Sequence, residues 1–184
     1  MSQIVLGTAG QSARHLSVLQ SFIDDLPALG AAEPDMGKCM KRTRPLLERL
    51  VKDDGLKGHS AIWPSPEGGK NVLSSVDQEF NFVINGVLDG AESLERFTRS
   101  DDGSKLGYAD VKLSSATTGS LGEVDLVPPY DIHAKRGGST RPVDVILRSQ
   151  PLGEGAVLQK GFDLKANRVV ERFGTNKFPY ELNA

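Results

Sequence analysis

Apolar residues in the first third of the chain recur every three or four positions, which is the spacing of an α-helix. The first such stretch runs from Ser12 to Leu29. We expect Pro27 and Gly30 to end it, because neither residue continues a helix well. Asp35 is suited to cap a second stretch, since its carboxylate accepts a hydrogen bond from a free backbone N–H.

A third helix is predicted to start after Thr43, where Pro45 is tolerated either in a first helical turn or as a kink. Asp53-Asp54-Gly55 is expected to close this helix with a left-handed glycine cap. Cys39 lies in the same helical region. In an apolar helical setting it is expected to be a small core residue rather than a reactive thiol.

Beyond Gly58 the apolar pattern becomes alternating, which indicates β-strands. Turn sequences such as Asn85-Gly86 and Asp89-Gly90 separate the strands. The predicted strands are Ser60–Trp63, Val72–Ser75, Phe80–Leu88, Ser93–Arg99, Val111–Ser115, Gly122–Val127, Arg141–Ser149, Ala156–Asp163 and Arg168–Phe173. Strands at this spacing predict a sandwich or barrel. The fold class is therefore mainly β, with a helical segment at 1–58 packing on a β-barrel at 59–184 in a single domain.

The most informative stretch lies between Gly122 and Gly137. It is expected to form a strand, a turn led by Pro128-Pro129, and a second strand that begins with His133, since proline cannot donate to a β-ladder. A histidine beside a turn on a rigid scaffold is well placed for binding or catalysis.

Composition narrows the classes of partner. The net charge is −2 and no run of Lys and Arg is present, so we expect neither nucleic acid nor a membrane as partner. A single cysteine excludes an intramolecular disulfide and fits a reducing, cytoplasmic setting. The N-terminus lacks the pattern of a secretory signal.

The spacing of Gly122, Pro128 and His133 resembles the second conserved box of the cupin superfamily, whose members are small jelly-roll (double-stranded β-helix) barrels. In that box the histidine is a ligand of a mononuclear metal. Two positions depart from the pattern: Tyr130 stands where glycine is expected, and Gly137 where asparagine is usual. Helices ahead of the barrel are similar to cupins of the cysteine dioxygenase type.

The first cupin box is only partly present. Glu79 and Gly86 have the separation of its glutamate and second glycine, but the His-x-His is missing, and its places fall on Leu73 and Ser75 or one residue earlier. The resemblance implies a reduced site in which Glu79 and His133 bind one divalent metal (Fe, Mn, Ni or Zn). The alternative is a metal-free acid–base pair.

Other polar side chains complete the candidate site. Tyr130 is a third candidate catalytic residue, placed to donate a proton or orient a substrate. Arg141 and Arg148 both suit a substrate carboxylate, but they are seven residues apart and lie on opposite faces of a regular strand, so at most one points inward. Arg141 is taken as the candidate substrate-binding residue. The remaining candidate substrate-binding residues are Trp63 and Asp77. Either His59 or Asp77 is a candidate to complete a metal site.

Two functions remain open at this point. One is a small-molecule cupin enzyme, dioxygenase-like if iron is bound and lyase- or isomerase-like if it is not. The other is a non-catalytic, metal-free barrel that binds a ligand or serves a structural role. In both cases we expect a homodimer, because cupins commonly pair through barrel edge strands.

Overall fold

The computed structural model describes residues 17–62, 74–75, 81–137, 140–149 and 158–173. Over these residues the helices come first and the strands follow. The helices are α1 (Ser17–Ala32), α2 (Met36–Leu50) and α3 (Asp54–Ser60). The strands are β1 (Ser74–Ser75), β2 (Val83–Asp89), β3 (Ala91–Arg99), β4 (Val111–Ser120), β5 (Val124–Val127), β6 (Ile132–Gly137), β7 (Val143–Arg148), β8 (Leu158–Asp163) and β9 (Arg168–Phe173). The prediction of helices followed by a mainly β region is confirmed.

Helix α1 continues through Pro27 and Gly30 to Ala32, so these residues do not end it. Helix α2 runs through Pro45 without a break, so the separate helix predicted to start after Thr43 is wrong. Asp35 does cap α2, because its Oδ1 accepts a hydrogen bond from the Lys38 backbone N–H at 2.8 Å. Pro45 removes one bond of the helical ladder. Leu47 and Leu50, which are fully buried, pack α2 on the sheet, and this tertiary burial outweighs the lost hydrogen bond.

The segment Asp53-Asp54-Gly55 starts a helix instead of ending one. Asp53 is the N-cap of α3, and its Oδ1 accepts from the Leu56 backbone N–H at 2.7 Å. Leu56 is buried against the core. The predicted strand beginning at Ser60 is also wrong, because Ser60 is the last residue of α3.

The strands form two antiparallel sheets. We call them the large sheet, with order β4-β3-β6-β1-β8-β9, and the small sheet, with order β5-β2-β7. An isolated bridge between Tyr108 and Arg168 brings the segment before β4 to β9. Within the described part of the chain neither sheet closes into a barrel. The jelly-roll barrel therefore stays a prediction.

The predicted turn at Asn85-Gly86 is wrong, since both residues lie in the middle of β2. Gly86 pairs there with Val124 of β5 and Val145 of β7. The predicted turn at Asp89-Gly90 is confirmed: Gly90 joins β2 to β3 with φ +71°, a conformation that favours glycine.

Helices α2 and α3 cover one face of the small sheet. Buried residues from both layers form one apolar core: Leu47, Leu50, Val51, Leu56, Ile84, Leu88, Val124, Val143 and Leu147, with Phe22 and Met40. Cys39, which was expected in this core, is only half-buried on α2. A second apolar cluster lies on the large sheet and contains Phe97, Ala109, Val111, Ile132, Ala134 and Phe162. The alternation of side chains along the strands leaves the other face of the small sheet turned towards the large sheet.

Among the described residues, no helix is both long enough and apolar enough to cross a bilayer.

Candidate functional site

The space between the two sheets contains charged side chains. Stacked sheets usually interdigitate apolar residues there. The inter-sheet cluster, as we call it, comprises Arg96, Asp125, Asp131, His133 and Arg148. His133 is buried and the charged side chains around it are half-buried. Such a cluster is a candidate functional site, since charges withdrawn from water are costly unless they are paired or used.

Arg96 ties the cluster together. Its Nη2 lies 2.8 Å from both carboxylate oxygens of Asp125 on β5. Its Nη1 contacts the carboxylate of Asp131, in the turn before β6. One guanidinium therefore joins the large sheet, the small sheet and the proline turn, a bridging role for which its planar set of donors is suited.

His133 lies on β6 opposite Arg96 of β3 and Ser74 of β1. The imidazole is 8% exposed, and its Nδ1 lies 3.0 Å from the backbone carbonyl of Asp131. A carbonyl can only accept, so Nδ1 carries the hydrogen. Burial, and secondly the charge of Arg96, lower the pKa of His133 to about 4.

Because the ring is then neutral at pH 7, its Nε2 bears a lone pair. Among the described residues, the Asp131 carbonyl is the hydrogen-bond partner of the ring, which leaves Nε2 available. An imidazole with one nitrogen held by a backbone carbonyl is arranged either as a proton acceptor or as a metal ligand.

Arg148 adds positive charge at the same end of the cluster. It ends β7, where it pairs with Val83 of β2. Burial lowers the pKa of its guanidinium, which nevertheless stays charged at neutral pH. Its Nε is buried and has no hydrogen-bond partner in the described part of the chain. This donor is available to an acceptor of a bound molecule.

A second charged group lies further along the same strands. Lys135 of β6 contacts the carboxylate of Glu92 on β3, and its Nζ is 2.7 Å from Asp144 Oδ2 on β7. One ammonium thus faces two carboxylates. Burial raises the pKa of Glu92 to about 7, and the neighbouring Asp144 carboxylate adds to the rise.

A cavity of 420 Å³ opens between α2, β4 and β5, within the size range of small-molecule sites. Its lining includes Asn85, Glu92, Leu94 and Asp125, of which Asp125 belongs to the inter-sheet cluster and Glu92 to the charged group around Lys135. Asn85 is 3% exposed. Its Nδ2 has no hydrogen-bond partner among the residues described.

The structure brings only some of the sequence-predicted site residues together. His133 is in the inter-sheet cluster. Tyr130 lies in the preceding turn, 55% exposed, with φ 66°, the left-handed conformation that favours glycine. This is the position where the cupin box has glycine. The candidates Trp63, Asp77 and Glu79 lie outside the described residues.

Arg141 lies away from His133. Both of its Nη atoms donate to the backbone carbonyl of Ser60 at 3.4 Å. It precedes β7 beside Gly90, whereas Arg148 is at the other end of that strand. The guanidinium of Arg148, not that of Arg141, contributes to the electrostatics of His133. His59 is in helix α3 rather than on a strand.

Sequence reasoning missed Arg96, Asp125, Glu92, Lys135 and Asn85. Charged residues at alternate strand positions are normally assigned to solvent. The sequence signal that these positions face inward is weak, because the inward face is fixed by which strands stack on one another. Of these five residues, Asp125 and Lys135 lie within the stretch between Gly122 and Gly137 that the sequence had indicated.

The described residues do not fit a divalent metal. They contain no group of three or more His, Cys, Asp or Glu side chains that could hold one. The carboxylates nearest to His133, on Asp125 and Asp131, are engaged by Arg96. A metal held by His133 together with Glu79 stays a prediction from sequence spacing.

No protein-family model matches the sequence, and no curated protein matches it either. Similarity to the cupin superfamily therefore stays a prediction from the spacing of residues in the sequence. The case for function rests on the chemistry of the inter-sheet cluster and of the cavity.

Replacing Arg96 by Met is expected to destabilise the fold by about 2–3 kcal/mol, because two carboxylates lose their shared partner. The same change should raise the pKa of His133 towards its ordinary value, since Arg96 helps to lower it. Urea unfolding and NMR titration of the imidazole measure the two effects.

The matched control is Arg44→Met, which removes an exposed i,i+4 pair with Glu48. It should cost no more than about 0.5 kcal/mol. An unchanged His133 titration in Arg96→Met would contradict the assigned contact between the two charges.

Proposed function

We propose that the protein is a small-molecule enzyme of lyase or isomerase type that uses His133 as its proton acceptor on an anionic substrate. The observation that carries the proposal is the neutral, buried imidazole, with Nδ1 held by the Asp131 carbonyl and the ring within the field of the Arg148 charge. Within this proposal the chain is a cupin-like protein with an atypical site. Glu79 is retained as a partner of His133 on sequence spacing alone.

The substrate class follows from the charge of the site. Arg96 is already paired with two carboxylates, whereas Arg148 has a buried Nε without a partner among the described residues. A guanidinium suits a carboxylate, because its donors match two carboxylate oxygens. A small carboxylate, bound at Arg148 and presenting a C–H bond to His133, fits this arrangement.

Substrate binding also makes His133 a better base. An imidazole with a pKa of about 4 is a weak proton acceptor at pH 7. An anion bound at Arg148 offsets part of the positive charge that lowers this pKa, so the basicity of Nε2 rises when the substrate is in place. In the absence of substrate, His133 stays neutral at pH 7, and its Nε2 lone pair can accept a proton.

The proton transfer can be written so that it balances. The Nε2 lone pair takes a proton from a carbon of the substrate, and the C–H electron pair stays on the substrate as a carbanion or enolate. In an isomerase the imidazolium returns the proton to another carbon. In a lyase the electron pair expels a leaving group from the adjacent carbon, and the imidazolium later releases its proton to water.

A non-catalytic barrel is the second candidate function. It is favoured by the low exposure of His133 and by the cavity lining, which includes Asn85 and Asp125 but not His133. In that case the imidazole is a buried polar group of the scaffold. The expected homodimer belongs to both candidates.

Deuterium exchange tests the enzyme proposal without knowledge of the full reaction. Small 2-hydroxy, 2-oxo and dicarboxylic acids that raise the melting temperature are incubated with the protein in D₂O, and loss of C–H signals is followed by NMR. His133→Asn keeps a donor for the Asp131 carbonyl and removes Nε2. It should slow exchange by about 10²-fold or more, the scale of a lost general base.

His59→Asn on helix α3 is the control and should leave the exchange rate unchanged. Exchange that persists in His133→Asn, or no exchange with any acid that binds, would favour the binding barrel. Elemental analysis of the untreated protein distinguishes the predicted metal enzyme from the metal-free enzyme and from the binding barrel. Iron near one equivalent that falls in His133→Asn would replace acid–base chemistry with the dioxygenase-like alternative.

A further inference from the structure

The cavity between α2, β4 and β5 shares only Asp125 with the inter-sheet cluster around His133. We propose that this cavity is a binding site for a neutral, hydroxylated small molecule of the sugar or polyol class, held by the side-chain amide of Asn85. The inference depends on Asn85 and the cavity lining, and it requires no chemistry at His133. It is therefore independent of the proposed function.

Asn85 provides the first argument. It lies in the middle of β2, is 3% exposed and lines the cavity. Its Nδ2 has no hydrogen-bond partner in the described part of the chain, and buried polar groups are normally paired. An amide NH₂ can only donate, so the ligand atom that reaches it must be an acceptor such as a hydroxyl or carbonyl oxygen.

The charge of the lining provides the second argument. Three acidic side chains of the lining each contact a basic side chain. The pairs are Glu48 with Arg44 at 2.9 Å, Asp125 with Arg96 at 2.8 Å, and Glu92 with Lys135. A cationic ligand would compete with these basic partners, and an anionic ligand would meet four carboxylates in the lining (Glu48, Glu92, Glu123 and Asp125) against two basic side chains, Arg44 and Lys52. A hydroxyl can donate to a remaining carboxylate lone pair without displacing the cation, which favours a neutral ligand.

The shape of the cavity provides the third argument. Part of the cavity wall is apolar and is formed by Val87, Leu94 and Val124. Thr117 pairs with Leu94 across β3 and β4 and supplies a hydroxyl. Gly119 adds no side chain, so space remains beside Glu92. A polyol presents C–H groups to the apolar wall and O–H groups to Thr117, Glu92 and Asn85.

Ligand-observed NMR and calorimetry with the full chain test the inference. The neutral probes are glucose, maltose and myo-inositol, and the charged probes are glucuronate and glucosamine. We expect at least one neutral probe to bind, and the charged probes to bind about tenfold more weakly, a difference of about 1.4 kcal/mol. Asn85→Leu should weaken the binding of the neutral probe at least about tenfold.

Two further variants keep the test decisive if Asn85→Leu does not fold. Gly119→Leu keeps Asn85 and fills the cavity; its Cβ would meet Val87 Cγ2 at 3.4 Å, an ordinary contact, so the fold should persist while binding is lost. Gln20→Leu removes an α1 side-chain amide that donates to Asp24 and should leave binding unchanged.

Three results would overturn the inference: no neutral probe binds, a charged probe binds more tightly, or binding survives both cavity variants. His133→Asn should leave polyol binding intact. If that variant abolishes it, the polyol occupies the inter-sheet cluster instead of the cavity. The proton-exchange assay then still decides the proposed function on its own.

Discussion

Lowering the pH from 7 to 4 is expected to cost the fold about 3 kcal/mol through His133 alone. Burial lowers the pKa of this imidazole from 6.5 to about 4. Above pH 6.5 the ring is neutral in both the folded and the unfolded chain, so it adds no pH dependence. Below that value the unfolded chain takes up a proton that the folded protein resists, and stability falls until the pH reaches the folded pKa.

The measurement is the free energy of unfolding in urea at several pH values between 7 and 4, for the wild type and for His133→Asn. Carboxylates elsewhere titrate in both proteins, so the difference between the two isolates the histidine. The variant should lose less stability on acidification, by about 3 kcal/mol. Parallel pH curves for the two proteins would show that His133 titrates normally and is not buried in the neutral form.

Replacing Gly86 by Val is expected to destabilise the protein by about 3 kcal/mol, and Gly86→Ala by about 1–2 kcal/mol, through overpacking. A Cβ at this position would lie 2.7 Å from Val51 Cγ1 and 3.1 Å from Leu47 Cγ. These atoms belong to the buried core by which α2 packs on the small sheet. The helix must therefore move away from β2 or its side chains must leave their preferred rotamers.

Thermal and urea unfolding measure the effect, and Gly30→Ala is the matched control. Gly30 lies inside α1, and a Cβ added to it would have no neighbouring atom within 4 Å, so alanine should stabilise by about 0.5–1 kcal/mol. The double variant Gly86→Ala with Val51→Ala should lose less stability than the sum of the two single variants, because the shorter side chain at position 51 leaves space for the added Cβ. An unchanged free energy of unfolding in Gly86→Ala alone would mean that α2 does not pack closely on β2 at this position.

Local structure was predictable where one residue's own chemistry decides it. Asp35 caps α2 because a short carboxylate reaches the backbone three residues on. Gly90 forms a turn because its φ of +71° is strained for other residues. The same local logic failed at Pro45 and at Asn85-Gly86, where burial against a distant element overrides the intrinsic preference.

The candidate site was predictable only in part. The spacing around Pro128 indicated His133 as a candidate site residue, and the structure places it, buried, in the inter-sheet cluster. The choice of Arg141 as its cationic neighbour was a choice between two strand positions. The pairing of β7 with β2 places Arg148 near His133 instead, and this pairing joins segments far apart in the chain.

The order of helices and strands, the cap at Asp35 and the turn at Gly90 could all be predicted from the sequence. These features depend on side-chain periodicity and on backbone preferences that act over a few residues. The packing of the two sheets places Arg96, Asp125 and Lys135 between them and keeps the imidazole of His133 neutral, and neither result could be predicted from the sequence. Stacking of the two sheets selects one face of each strand for burial, and the pKa of a buried group depends on charges that the fold brings from other strands.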